Sequence, residues 1–137
     1  LACDLAREHE MVVSIDVRLK SGAYEVFRNN GTVATGHAPV AWAKEVEERG
    51  AGEIFLTSID RDGTMQGYDV ELTKAVSQAV HIPVIASGGA GNLDDFVAVL
   101  KDGGASAAAA TSIFQYTQIT PLNIKRFLAS AGVEMRI

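Results

Sequence analysis

Four short runs of apolar, β-prone residues recur along the chain, and a stretch with helical spacing follows each of them. The runs are "MVVSIDV" (11–17), "EIFLTSI" (53–59), "IPVIAS" (82–87) and "ASAAAA" (105–110). Near-continuous apolar runs suit strands buried on both faces, as in parallel sheets. Parallel strands in turn require a crossover between them, usually a helix. The alternation therefore predicts an α/β fold of four βα units. Alanine by itself favours helix. The last run is assigned to a strand by its place after Gly103-Gly104 and between two helical stretches.

The helical stretches carry their own boundaries. Pro39 opens the first, which closes at Gly50. Asp69 caps the second, 70–80, with Leu72, Ala75, Val76, Ala79 and Val80 on one stripe. Asn92 precedes the third, which ends at Gly103. Thr120 and Pro121 open the fourth, which stops at Gly132. The opening "LACDLAREHE" reads as the tail of one more helix. One segment breaks the alternation. In "YEVFRNNGTVAT" (24–35), two β-prone runs flank Asn-Gly, the strongest two-residue hairpin signal. A small hairpin is expected after the first strand. Four units fit a small doubly wound sheet or half of an eight-unit barrel, and periodicity does not choose between them.

Length and charge narrow the function classes. The 137 residues suffice for one domain, 1–137, with a sizeable core. No apolar run approaches the ~20 residues of a membrane helix, and the first residues lack the pattern of a secretory signal. Cys3, the single cysteine, has no partner for an internal disulfide, which fits a reducing cytoplasm. A net charge of -5 argues against nucleic acid as partner.

Polar and glycine-rich residues gather at the carboxyl ends of the strands: "SID", "TSIDRDGTMQGYD", "SGGAG" and "TSIFQYT". Both candidate folds bind ligands at that end. The opposite loops, such as "RGAGE" and "VHIP", are short and plain. In Ser87-Gly88-Gly89-Ala90-Gly91, glycines permit positive φ and close approach to backbone amides, and a helix start follows. A plain turn and an anion cradle are both consistent with those letters. Thr111-Ser112 after the last strand matches the second part of a barrel phosphate site. Among candidate acids, Asp16 ends an apolar strand, where burial and neighbours tune acid–base behaviour. Asp60 and Asp62 flank Arg61 in a segment that also suits a turn. The histidines share no ligand spacing, so no metal is expected, and neither a nucleophile elbow nor a P-loop is present.

"VVSIDV", "RGAGEIFLTSIDRDGTMQGYD", "PVIASGGAG" and "AAATSIF", in this order and spacing, resemble the cyclase subunits of imidazole glycerol phosphate synthase from histidine biosynthesis. The resemblance covers the second half of that family's (β/α)8 barrel. It implies an α/β fold of four βα units forming a half barrel, with the hairpin after the first strand. The sister ribotide isomerase of the same pathway shares the half-barrel pattern, but "SIDRDGT" and "GYD" favour the cyclase.

The resemblance also implies chemistry. Ammonia from a glutamine amidotransferase subunit converts a bis-phosphorylated, nucleotide-like substrate into imidazole glycerol phosphate and an aminoimidazole carboxamide ribotide. Asp16 corresponds to a general acid or base. Ser87, Gly88, Gly89, Ala90 and Gly91, with Ala110, Thr111 and Ser112, correspond to one phosphate site. Thr57 and Asp62 match positions on the active-site face, and Glu53 matches the polar ring at the ammonia entrance. No cofactor is implied. Gln115, where the family often has His, and the alanine-rich last strand depart from the pattern. A half barrel has two unpaired edges and an apolar inner face. Such a chain is expected to pair with an N-terminal half or a copy of itself, and to be inactive alone. The competing expectation is a non-catalytic phosphate-binding module that self-associates.

Overall fold

The computed structural model describes residues 11–135, so the helix expected at 1–10 lies outside the described residues. Strand β1 spans Val12–Lys20, β2 Ala23–Arg28 and β3 Val33–Ala34, followed by helix α1, Pro39–Glu48. Then come β4 (Glu53–Ser58), α2 (Val70–Ala79), β5 (Val84–Ser87), α3 (Leu93–Lys101), β6 (Ala107–Ala109), α4 (Ser112–Tyr116) and α5 (Pro121–Ser130). The sheet order is β3-β2-β1-β4-β5-β6, with β1, β4, β5 and β6 parallel and β2 and β3 antiparallel. The four expected βα units are present, and the alanine run is a strand of three residues.

Side-chain alternation divides the sheet into two unlike faces. Ile15, Val17, Ile54, Leu56, Val84 and Ala86 are buried against α1, α2 and α3. The alternate set is Ser14, Asp16, Phe55, Thr57, Ile85, Ser87 and Ala107, none of it fully buried. Each of the isoleucine, leucine and valine side chains on the covered face contributes about 1.5–3 kcal/mol of burial, so the helical layer holds the sheet from one side. On α2 the packed residues are Leu72, Thr73 and Val76. Thr73 takes the place expected of Ala75, which is exposed, because its hydroxyl donates to the Asp69 carbonyl at 2.8 Å and its methyl meets the core.

Two expectations need correction. Asn29-Asn30-Gly31 does turn β2 into β3, all three with positive φ. The first strand, however, runs on to Lys20 and turns again at Ser21-Gly22, with φ of +52° and +81°. The hairpin is thus part of a three-stranded antiparallel meander continuous with β1. Consequently the sheet does not have two bare parallel edges. β2 covers β1 from Asp16 to Lys20. Among the described residues the parallel strands stay open at the stretch of β1 before Asp16 and along the outer edge of β6, and the two-residue β3 forms the other edge of the sheet. The second correction is α4, a five-residue helix where only a loop was expected.

Candidate functional site

Register sets the first row of the site. Asp16 pairs with Thr57, Thr57 with Ser87, and Ser87 with Ala109. These four residues form one line across the uncovered face at the carboxyl ends of the strands. Adjacent strands lie about 4.8 Å apart, so the line spans about 14 Å. Ser14 Oγ reaches Asp16 Oδ1 at 3.5 Å, at the limit of a hydrogen bond. Arg18 follows Asp16 on the same face, its guanidinium 5.3 Å over the Phe27 ring and its buried Nε without a hydrogen-bond partner. Glu53 begins β4 on the same face as Thr57. Four residues of strand rise place it about 13 Å away, at the opposite end of the sheet.

The second part of the site is a small polar pocket lined by Asp62, Gly63, Met65, Ser87–Ala90 and Ala109–Ser112. Its walls are the glycine loop after β5 and the turn after β6. The loop between β4 and α2 closes it. Gly67 N–H donates to the Gly89 carbonyl at 2.7 Å. A Cβ on Gly89 would overlap the Gly67 carbonyl, and one on Gly91 would overlap that of Met65. A Cβ on Gly88 would lie 2.8 Å from the Ser58 carbonyl oxygen. Glycine is therefore required here by two loops packed backbone to backbone, a long-range reason invisible in the letters "SGGAG".

Donors in the pocket divide sharply. Gly91 and Asn92 N–H groups both donate to Asp95 Oδ2, at 2.8 and 3.0 Å, and Asp95 N–H returns a bond to Asn92. This capping box occupies amides at the start of α3. Gly91 thus serves close packing and the cap. None of the Gly88, Gly89, Ala90, Ala110, Thr111 or Ser112 amides donates to a loop or cap acceptor among the described residues. Unpaired amides around a small concavity suit an anion. Asp62 is the one carboxylate in the lining, and its charge opposes an anion there.

Sequence reasoning passed over the residues that hold these loops in place. Arg61 Nη1 donates to the carbonyls of Gly67 and Tyr68, at 3.4 and 3.5 Å. Tyr68 is buried, lies edge-on to Phe96 and donates its hydroxyl to the Ala109 carbonyl at 2.8 Å. Tyr24, on β2, donates to the Asp69 carboxylate, which also caps α2. Burial first, then the bond to Asp69 and the charges of Asp69 and Glu71, push the Tyr24 hydroxyl up to about 12. Burial and the charge of Asp95 raise Tyr68 as well. Both phenols are neutral donors at ordinary pH. "GYD" was legible as a motif, but the bonds it makes, 41 and 45 residues away in sequence, were not.

No group of three or more His, Cys, Asp or Glu side chains among the described residues is placed to hold a metal ion. No described helix is long and apolar enough to cross a membrane.

A parallel sheet covered by helices on one face, with polar residues and open backbone amides at its strand carboxyl ends, has the ligand-face plan of a (β/α)8-barrel protein. The chain belongs to the histidine biosynthesis protein family, whose model matches residues 2–120. It is 50% identical over 127 residues to the imidazole glycerol phosphate synthase subunit HisF of Sulfolobus acidocaldarius, covering 93% of this chain and 50% of that protein. HisF of Metallosphaera sedula is 53% identical over 126 residues, and HisF of Hyphomonas neptunium 51% over 126, again half of each relative. The chain spans about half the length of the curated relatives it matches, consistent with half a barrel.

Proposed function

We propose that residues 1–137 form one half-barrel domain that supplies the second half of an imidazole glycerol phosphate synthase cyclase, working in the cytoplasm without a cofactor. The observation that carries this reading is the joined row and pocket. A carboxylate, Asp16, stands at one end of the line of strand ends, and a set of open amides stands at the other. The similarity to HisF proteins names the chemistry those parts fit.

In this reading one phosphate of a bis-phosphorylated, nucleotide-like substrate sits against Gly88, Gly89 and Ala90 on one wall and Ala110, Thr111 and Ser112 on the other. Backbone donors suit the group because they add no side chain that must be ordered. Ser87 stands at the pocket wall with the phosphate-binding amides, and Thr57 lies between it and Asp16, where its hydroxyl orients the middle of the substrate. Asp16 exchanges a proton with the reacting atoms as ammonia is incorporated and the ring closes. Asp62, in the loop over the pocket, contacts the same substrate. Glu53 belongs to the amino-end entrance for ammonia from a glutamine amidotransferase subunit. Gln115 lies just beyond the phosphate turn.

The chain requires a complementary half for turnover, since half of the strand ends are supplied elsewhere. The test mixes it with the first half of a HisF relative and measures ammonia-dependent product formation. Activity should appear only with both halves, and Asp16→Asn should abolish it. Unchanged turnover by Asp16→Asn would remove Asp16 from catalysis. Ser112→Asp puts a carboxylate into the pocket and should weaken phosphate-ester binding at least ~10-fold, with the far-ultraviolet spectrum intact.

A second reading, a non-catalytic phosphate-binding half that self-associates, rests on the unpaired outer edge of β6. Failure of every complementary half to restore turnover, with phosphate binding retained, would favour it.

A further inference from the structure

The two walls of the pocket come from different βα units, and adjacent residues of a third segment join them. Gly67 donates to the Gly89 carbonyl on one wall, and Tyr68 donates to the Ala109 carbonyl at the base of the other. Tyr68 is 3% exposed and edge-on to Phe96 at 5.6 Å between ring centroids. Arg61 ties down the carbonyls of both Gly67 and Tyr68. β5 and β6 pair up to Ser87 and Ala109, and beyond that last pair this dipeptide ties the two walls together.

The bond to Ala109 also fixes an orientation. A trans peptide holds its C=O and N–H antiparallel. With the Ala109 carbonyl bound to the buried Tyr68 hydroxyl, the Ala110 N–H is directed to the opposite side. Ala110 lines the pocket, and its amide donates to no loop or cap acceptor among the described residues. The strand that carries this peptide is three alanines long. Methyl groups at every position give it little side-chain packing of its own, so beyond the ladder with β5 the hydroxyl bond is the side-chain anchor of its end.

We propose that Tyr68 is a positioning residue for anion binding: its hydroxyl holds the turn after β6 in register with the glycine loop, so that both walls address one phosphate group. This rests on the phosphate reading given above. Tyr68 need not touch the ligand, which separates its role from that of the pocket amides.

The test is a titration of the isotope-labelled chain with inorganic phosphate, followed by amide chemical shifts. In the wild-type chain, Gly88–Ala90 and Ala110–Ser112 should shift together with one dissociation constant. In Tyr68→Phe, which keeps the ring and loses the hydroxyl, affinity should fall about 5-fold or more. The Ala110–Ser112 amides should then cease to track those of Gly88–Ala90. Ser77→Ala serves as the control, since it removes another hydroxyl that donates to a backbone carbonyl, that of Gly103 before β6, at the other end of that strand from the pocket. It should lose stability and keep the wild-type phosphate affinity. A second measurement needs no variant: by reciprocity of coupling, phosphate should slow solvent exchange of the Tyr68 hydroxyl proton. Phosphate-sensitive amides with wild-type affinity in Tyr68→Phe, or an exchange rate indifferent to phosphate, overturns the role of Tyr68 and leaves the pocket reading standing. A wild-type chain whose amides on both walls ignore phosphate overturns both.

Discussion

Gly88 and Gly89 adopt φ of +96° and +112°, a region in which a side chain is strained whatever space surrounds it. Gly36, at +77°, has nothing within 4 Å of an added Cβ, so it isolates the torsional cost. Gly36→Ala should lose about 1 kcal/mol of stability. Gly89→Ala adds overlap with the Gly67 backbone and should lose about 3 kcal/mol. Urea unfolding of the two variants checks the difference, and equal losses would mean that the loops are not packed as described. Tyr24 offers a test by pH. Its folded pKa, about 12, lies above the ordinary value of 10.0. The neutral phenol is therefore favoured by folding, its contribution is complete below pH 10, and it declines as pH rises through 12. The stability difference between the wild type and Tyr24→Phe should stay constant up to about pH 9 and shrink from pH 10 to 12. A difference that holds constant across that window would show that the bond to Asp69 does not discriminate between protonation states.

Among elements, α3 links stability directly to the candidate site. Its capping box takes the Gly91 and Asn92 amides with the Asp95 carboxylate, which also places a negative charge beside the pocket. Asp95→Ala should therefore have opposed effects. Stability falls by about 1 kcal/mol as the cap is lost. Phosphate affinity rises about 2- to 5-fold as two amides are freed and a like charge is removed. Thermal unfolding and phosphate titration of the same sample test both, and a fall in both would make Asp95 part of the binding site. The caps show what was legible in sequence. Asp69, Asn92 and Thr120 were all readable, because a cap joins residues three or four apart. The Ser21-Gly22 turn was not, since serine at positive φ is set by the pairing of β1 with β2 and not by its own preference. The five-residue α4 follows Thr111, which makes no side-chain cap, so its start left no mark. At the site, the polar residues at strand ends were legible from alternation. The reason for each glycine was not, because it lies in another loop.

At the scale of the whole molecule, the sheet is finished on one side only. Phe55 and Ile85 on the uncovered face are half-buried, and Val12 is 51% exposed at the unpaired stretch of β1. At the far edge, the alanines of β6 are too small to fill the space under α5. A cavity of about 430 Å³ remains there, lined by Phe96, Leu100, Ala108, Ile124 and Leu128 among others. An open edge beside apolar surface promotes association, whereas the meander of β2 and β3 blocks most of β1. Among the described residues, the parallel strands are open at two places, the outer edge of β6 and the start of β1, and the meander ends in the two-residue β3. The chain should run above monomer mass by light scattering at micromolar concentration. Val12→Lys puts a charge into the open part of β1 and should return it toward monomer. Because Val12 is half exposed, the variant should keep its stability to within about 0.5 kcal/mol. The introduced ammonium would also stand opposite Glu53, the register partner of Val12 on β4, so the fold has a place for the charge. A wild-type monomer would contradict association through these edges. A Val12→Lys chain that stays associated would leave the start of β1 out of the interface. With a complementary half present, the same substitution should lower the yield of active complex, since Val12 lies on the open stretch of β1 that such a half would pair with.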